Sequence, residues 1–279
     1  MAKTTRKTPT RRRTSKKKNG LISAKIIFIL VAFFAFSFGV YHYREALLFY
    51  FSFKTNKVYK EDKVAKARIF QILSNNKDKV VGFDVSQFQG EINWSEIDSV
   101  EGFKLDYVFI RATAGSDKVD SRFEENWSNA RKYKLIRGAY HYYRPNENSL
   151  EQAKNFIKNV KLRKGDFPPV LYIEKLPESQ SIDSLKVGLR RWLKAVDKHY
   201  NVKPIIYTGE KYYEDFLKEE FEGYTFWIAN YNFWVEGIKD DWQFWQFTEK
   251  ARINGISENV DINIYNGSSK MLNYFTISN

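Results

Sequence analysis

Three carboxylates stand at or near the ends of short apolar, strand-like runs. VVGFDVS (80–86) carries Asp84, PPVLYIE ends at Glu174, and NVDINIY carries Asp261. Carboxylates that converge in a cleft can cleave a glycosidic bond. One protonates the leaving oxygen while another attacks, activates water or stabilises charge at the anomeric carbon. In a parallel α/β barrel the C-terminal ends of strands face the active-site mouth. Tyr172 lies two residues before Glu174, on the same face of its strand. At that place a carboxylate would be expected, and it would be the fourth.

Singly, none of these residues is diagnostic. A lone Glu at a strand end is more often a surface or ion-pair residue, and Asp84 or Asp261 alone reads as a turn-capping Asp. Their recurrence at equivalent places is what points to a site. The three histidines, His42, His141 and His199, lie far apart in sequence, and there is no cysteine. A multi-His or thiolate metal centre is therefore not expected, and His141 reads as a hydrogen-bonded core or rim residue.

The elements that must position these groups follow from periodicity. Candidate strands are 80–86, 107–113, 137–143, 169–174, 203–209, 225–231, 242–248 and 260–266. The first five are separated by helix-length segments such as Arg122–Tyr133, Leu150–Lys161 and Ser181–Tyr200, whereas the last three lie close together. The pattern predicts an eight-stranded α/β barrel whose late crossovers are short or missing. Tyr140, Tyr142, Tyr207, Trp227, Tyr231, Trp245 and Gln246 fall at or near strand ends. The barrel core must absorb many of these side chains, because alternation turns only about half inward. A subset, with Tyr231 and Tyr140 favoured, is expected to line a sugar groove.

The formal charge of +13 is unevenly placed. Residues 1–25 hold ten Lys/Arg and no acid, while residues 81–279 hold 27 Lys/Arg and 29 acids. The basicity belongs to the N-terminal region, so a nucleic-acid partner does not follow from the overall charge. Residues 1–20 read as a basic cytoplasmic tail. Residues 21–43 (LISAKIIFILVAFFAFSFGVYHY) are apolar except for Lys25, which can snorkel to the headgroups. They predict a transmembrane anchor rather than a cleaved signal, since no small-residue cleavage site follows. Residues 44–79 read as a juxtamembrane linker with a helix near Glu61–Leu73, and residues 80–279 as the barrel domain. The positive tail predicts a single pass with the N-terminus cytoplasmic and the barrel on the far side, periplasmic or facing the cell wall.

The order of motifs resembles the family 25 glycoside hydrolases, the Chalaropsis-type lysozymes. GFDVSQFQGEINW resembles that family's opening motif. YVFIRATAG, RGAYHYYRP, PPVLYIE, IIYTG, FWIANY, WQFWQFT and VDINIYNG follow in the family's order, from about Gly82 to Gly267. The resemblance implies a modified TIM-like barrel of about five βα units plus three further strands. It implies cleavage of the β-1,4 bond between N-acetylmuramic acid and N-acetylglucosamine in the glycan strands of peptidoglycan, by a monomeric domain without metal or organic cofactor. It places the general acid on Glu174 and flanking acidic positions on Asp84 and Asp261. Tyr172 departs from the family's Asp-x-Glu motif. Three outcomes follow: activity with Asp84 or Asp261 compensating, activity through Tyr172, or glycan binding without cleavage. A related hydrolase acting on another N-acetylated glycan is a further alternative.

Overall fold

In a computed structural model, residues 24–52 and 63–278 are described. The basic tail (1–20), the first residues of the anchor and positions 53–62 of the linker lie outside the described residues. The chain divides into two units, Met1–Arg44 and Glu45–Asn279.

The first unit contains helix α1, Ala24–His42. Its 19 residues rise about 28 Å at 1.5 Å each, which matches the hydrocarbon thickness of a bilayer. Within it, Lys25–His42 is apolar enough to cross a membrane. Large side chains such as Phe28, Phe34, Phe36 and Phe38 are exposed around the helix.

In the second unit, α2 (Arg44–Ser52) and α3 (Lys63–Asn75) precede a closed barrel. The barrel strands are β1 (Val80–Val85), β2 (Tyr107–Ala114), β3 (Ile136–Tyr142), β4 (Val170–Tyr172), β5 (Ile205–Gly209), β6 (Thr225–Ala229), β7 (Phe244–Ala251) and β8 (Val260–Tyr265). Each of β1 to β7 pairs in parallel with the next. Closure is antiparallel: β8 runs opposite to both β7 and β1. The last strand thus departs from the parallel order of the other seven. The chain between β7 and β8 is too short for a crossover helix and turns back as a hairpin instead.

Helices α4 (Phe123–Lys132), α5 (Ser149–Asn159) and α6 (Ile182–Tyr200) connect β2 to β5. In α6 the buried residues Leu185, Leu189, Trp192, Leu193 and Val196 recur at helical spacing and form one apolar face. Ser181 caps its first turn, and Asn201 ends it in the left-handed region at φ 53°. The first crossover, from β1 to β2, uses 3₁₀ turns and a two-residue hairpin where a helix would stand in a regular barrel.

Strand alternation sorts the side chains. Val81, Phe83 and Val85 of β1 face the helical layer, while Tyr107, Phe109, Phe167, Trp227 and Phe244 fill the barrel. The rings pack closely, with Phe109 stacked on Trp227 at 4.4 Å between centroids. They leave no room for small branched side chains on some strands. A Cβ at Gly82 would meet the Tyr107 ring at 2.4 Å, and one at Gly138 the Phe109 ring at 2.5 Å. Much of the high aromatic content is therefore interior filling.

Helix α3 belongs to this body. Ile69, Ile72 and Leu73 are buried in the same apolar cluster as Phe247 and Ala251 of β7. The segment read as linker thus ends in a packed helix. Ile72→Ala is expected to destabilise the body by about 2–5 kcal/mol. Urea unfolding of the full chain checks this, and an unchanged midpoint would mean that α3 is not part of the cooperative unit.

Candidate active site

The inward faces of β1, β7 and β8 meet at one end of the barrel. Asp84 is the last inward residue of β1. It is in register with Asp261, the second residue of β8. The antiparallel direction of β8 is what brings Asp261 there, since the start of that strand lies beside the end of β1.

Asp84 is buried at 4% exposure and surrounded by donors. Gln246 Nε2 donates to its Oδ2 at 2.7 Å, and Asn263 Nδ2 donates to the same oxygen at 2.8 Å. The two amides are themselves oriented. Tyr207 and Tyr231 both donate their hydroxyls to Gln246 Oε1, at 2.6 and 2.5 Å. Trp227 Nε1 donates to Asn263 Oδ1 at 2.9 Å. Each amide oxygen is occupied by an aromatic donor, so each amide nitrogen faces Asp84.

Asp84 and Asp261 also hydrogen-bond to each other. Both carboxyls are pushed above the ordinary aspartate range, by burial first. Hydrogen bonds from Asn263, Gln246 and Asp261 oppose the shift at Asp84, whereas the charge of Asp84 adds to it at Asp261. Asp261 therefore keeps the proton and donates it to Asp84, and the pair carries one negative charge.

Glu174 follows β4 and is exposed. Its Oε1 accepts from the Tyr142 hydroxyl at 2.7 Å and its Oε2 from the Tyr172 hydroxyl at 3.1 Å. Tyr142, Tyr172 and Tyr207 are register partners on three adjacent strands. The Tyr172 ring stacks on Tyr207 at 3.7 Å and lies 5.4 Å from Tyr142. Burial, then the nearby Glu174 charge, pushes the Tyr172 phenol far above its usual value. It is a neutral donor to Glu174.

Tyr172, Glu174, Tyr231 and Asp261 line one open groove of about 490 Å³, together with Glu210 and Glu249. Tyr207 lines it as well, Tyr142 stands half-buried beside Glu174, and the other expected groove residues lie more deeply. Trp227 has no exposed surface, Gln246 is 1% exposed, and Tyr140 is 6% exposed. Trp227 and Gln246 hold the carboxylates rather than present a face to a sugar, whereas Tyr231 remains half open. Asn263 escaped the sequence reading. Its signal was its place two residues after Asp261, on the same strand face. His141 sits outside the barrel wall. It contacts Thr113 Oγ1 at 2.7 Å and Gln152 Oε1 at 3.1 Å, with burial pushing it down to about 4.

A barrel that sets an aspartate and a separate glutamate in one groove, with a second aspartate buried behind the first, has the arrangement of a glycoside hydrolase. The model of the glycosyl hydrolases family 25 matches residues 83–256. This chain belongs to that family and is a glycoside hydrolase. It is 37% identical over 199 residues to the protein YegX of Escherichia coli (strain K12), covering 70% of this chain and 72% of that one. It is 33% identical over 209 residues to lysozyme M1 of Streptomyces globisporus, covering 69% and 70% of the two chains. The solved structure of a family 25 glycosyl hydrolase from Bacillus anthracis superposes with a TM-score of 0.64 at 28% identity, covering 72% of this chain and 95% of that one.

The shared proton has a consequence for stability. With both values raised, the native state holds a proton that the unfolded chain releases. The stabilisation is complete below the ordinary value of 3.8 and is lost as pH rises above it. Asp261→Asn keeps a donor toward Asp84 without an ionisable proton. Its melting temperature is expected to equal or exceed that of the wild type at about pH 8, and to depend less on pH. Each kcal/mol gained would raise it by about 2–4 °C. Thermal unfolding across pH measures this, and a variant that melts lower than wild type at every pH would contradict the shared proton.

Proposed function

We propose that the protein is a membrane-anchored muramidase that cleaves the β-1,4 bond between N-acetylmuramic acid and N-acetylglucosamine in peptidoglycan. The observation that carries this reading is the placement of Asp261 and Glu174 in one groove, with Asp84 buried in register behind Asp261. Lysozyme M1 of Streptomyces globisporus, a relative by sequence, supports the choice of substrate.

In this reading Glu174 protonates the glycosidic oxygen. Asp261 lines the groove and Asp84 stands behind it. The pair's single charge stabilises positive charge at the anomeric centre. The carbonyl oxygen of Asp261, left over once its proton is given to Asp84, accepts from the acetamide N–H and aims the acetamide oxygen at the anomeric carbon. Tyr172 orients Glu174 and borders the acetamide as a neutral donor. Tyr172 stacks on Tyr207 and gives its hydroxyl to Glu174, so this reading assigns the attack to the substrate's own acetamide rather than to Tyr172. Tyr231 and Tyr142 offer aromatic surface to the sugars, with Tyr140, Tyr207, Trp227 and Gln246 supporting them from below.

Helix α1 supplies the anchor, with residues 1–20 cytoplasmic and the barrel on the far side of the bacterial cytoplasmic membrane. The tether ends where α3 joins the body. Cleavage is then confined to wall within reach, which suits remodelling of the protein's own envelope.

Purified full-length protein in detergent, incubated with peptidoglycan, is expected to release products with reducing-end N-acetylmuramic acid, read by mass spectrometry. Glu174→Gln should lower the rate by about 10²–10⁴. No products at any pH, with sedimentation on peptidoglycan retained, would make the protein a wall binder on this fold. That outcome is the one Tyr172 favours, because it removes a carboxylate beside the acid. Tyr172→Phe tests the route itself. It is expected to keep activity within about tenfold, whereas a loss comparable to that of Glu174→Gln would make Tyr172 the nucleophile.

A further inference from the structure

Helix α3 precedes the segment that defines the family, residues 83–256, yet it forms one wall of a second groove. This groove has a volume of about 320 Å³. Val64 and Arg68 line it from α3, Tyr231 and Phe233 from the loop after β6, and Glu249 and Lys250 from β7. Tyr231 and Glu249 also line the groove that holds Glu174 and Asp261. The two grooves therefore share a border.

The shared wall is held by Arg68. Its Nη1 donates to the Tyr231 carbonyl at 3.1 Å and its Nη2 to the Asn232 carbonyl at 2.6 Å. Its guanidinium lies 5.5 Å from the Phe233 ring centroid, and its Nε has no hydrogen-bond partner. Helix α3 thus fixes the loop that carries Tyr231, whose hydroxyl reaches Gln246 behind the carboxylate pair.

The chemistry of this second groove differs from that of the first. Glu249 and Lys250 are both exposed, and no ion pair engages either among the described residues. Val64 is 56% exposed and adds an apolar side. The Phe233 ring is already covered in part by Arg68. N-acetylglucosamine is uncharged and N-acetylmuramic acid brings a single carboxylate and no cation, so a bare glycan does not answer fixed charges of both signs. A short peptide with carboxylates, a free amine and small apolar side chains uses all of them: carboxylates meet Arg68 and Lys250, the amine meets Glu249, and methyl groups meet Val64.

We infer that this groove binds the peptide branch that peptidoglycan glycan strands carry, so that α3 makes the protein prefer peptide-bearing over bare glycan. The inference rests on peptidoglycan being the substrate.

The test separates the two. Full-length Glu174→Gln protein in detergent is titrated with soluble glycan strands, either carrying their peptides or stripped of them by an amidase. Peptide-bearing strands are expected to bind at least about tenfold more tightly. Val64→Trp, which fills the groove from an exposed position, and Lys250→Glu, which reverses its charge, should each abolish that preference while leaving binding of bare strands unchanged. Thermal unfolding confirms that both variants fold. Equal affinity of the parent protein for the two kinds of strand overturns the inference, as does a variant that weakens both kinds alike. Cleavage of bare strands by the wild-type protein is scored separately. If neither kind is cleaved but the preference and its loss in the variants persist, the groove stands and the muramidase reading falls. If bare strands are cleaved and no preference exists, the reverse holds.

Discussion

A carboxylate buried inside a barrel of aromatic rings is the constraint to which the rest of this site answers. Moving such an ion out of water costs several kcal/mol even after relaxation. Asp84 meets that cost with three donors, Gln246, Asn263 and Asp261. Hydrogen bonds to a charged group contribute about 1.5–3 kcal/mol each, so three are of the size required. Each donor depends on something further out. The amides present nitrogen rather than oxygen because Tyr207, Tyr231 and Trp227 occupy their oxygens. Asp261 can donate only while protonated, and burial first, then the charge of Asp84 beside it, raise its carboxyl so that it holds the proton. The apolar filling of the barrel and the polar chemistry at its mouth are therefore one structure: the same rings that pack the interior turn their few polar atoms toward the carboxylate.

Tyr172 belongs to that logic as well. Its position in Tyr-Ile-Glu looks like the loss of a carboxylate, but its surroundings are those of a ring. Tyr142, Tyr172 and Tyr207 stand side by side across three strands, with Tyr172 stacked on Tyr207. A charged aspartate at 172 would lose that stacking and set another negative charge near Glu174 and the Asp84–Asp261 pair. The phenol instead donates to Glu174 at no cost in charge. Tyr172 therefore reads as one rung of an aromatic ladder that grips Glu174.

The body of the enzyme reaches beyond the strands that define its family. Helix α3 contributes Ile69, Ile72 and Leu73 to the core and Arg68 to the loop that bears Tyr231. Docking that helix thus does two things with one face. It buries apolar surface of β7, and it fixes a side chain that helps orient Gln246. Helix α3 is linked to the carboxylate pair through Arg68, the Tyr231 loop and Gln246, without touching either carboxylate.

What could be read from the sequence and what could not follows the range of the interactions involved. Asp84 and Glu174 were legible because strand ends are local features: alternation and the flanking turns are written within a few residues. The face on which Gln246 and Trp227 lie was legible for the same reason, but not their depth. Depth depends on how many rings from other strands fill the barrel above and below them, as Phe109 does beside Trp227. The direction of β8 was not read, although the short connection before it carries the information. A hairpin needs only a few residues, and a parallel return needs a dozen or more. That reversal decides the site, because with β8 parallel Asp261 would sit at the opposite end of the barrel from Asp84. Helix α3 was expected as a helix but not as part of the body. Amphipathic spacing says that Ile69, Ile72 and Leu73 share a face, while the identity of the surface they cover is set by β7, some 170 residues further along the chain. Sequence patterns thus gave the parts with local causes, and the closing of the barrel joined them into a site.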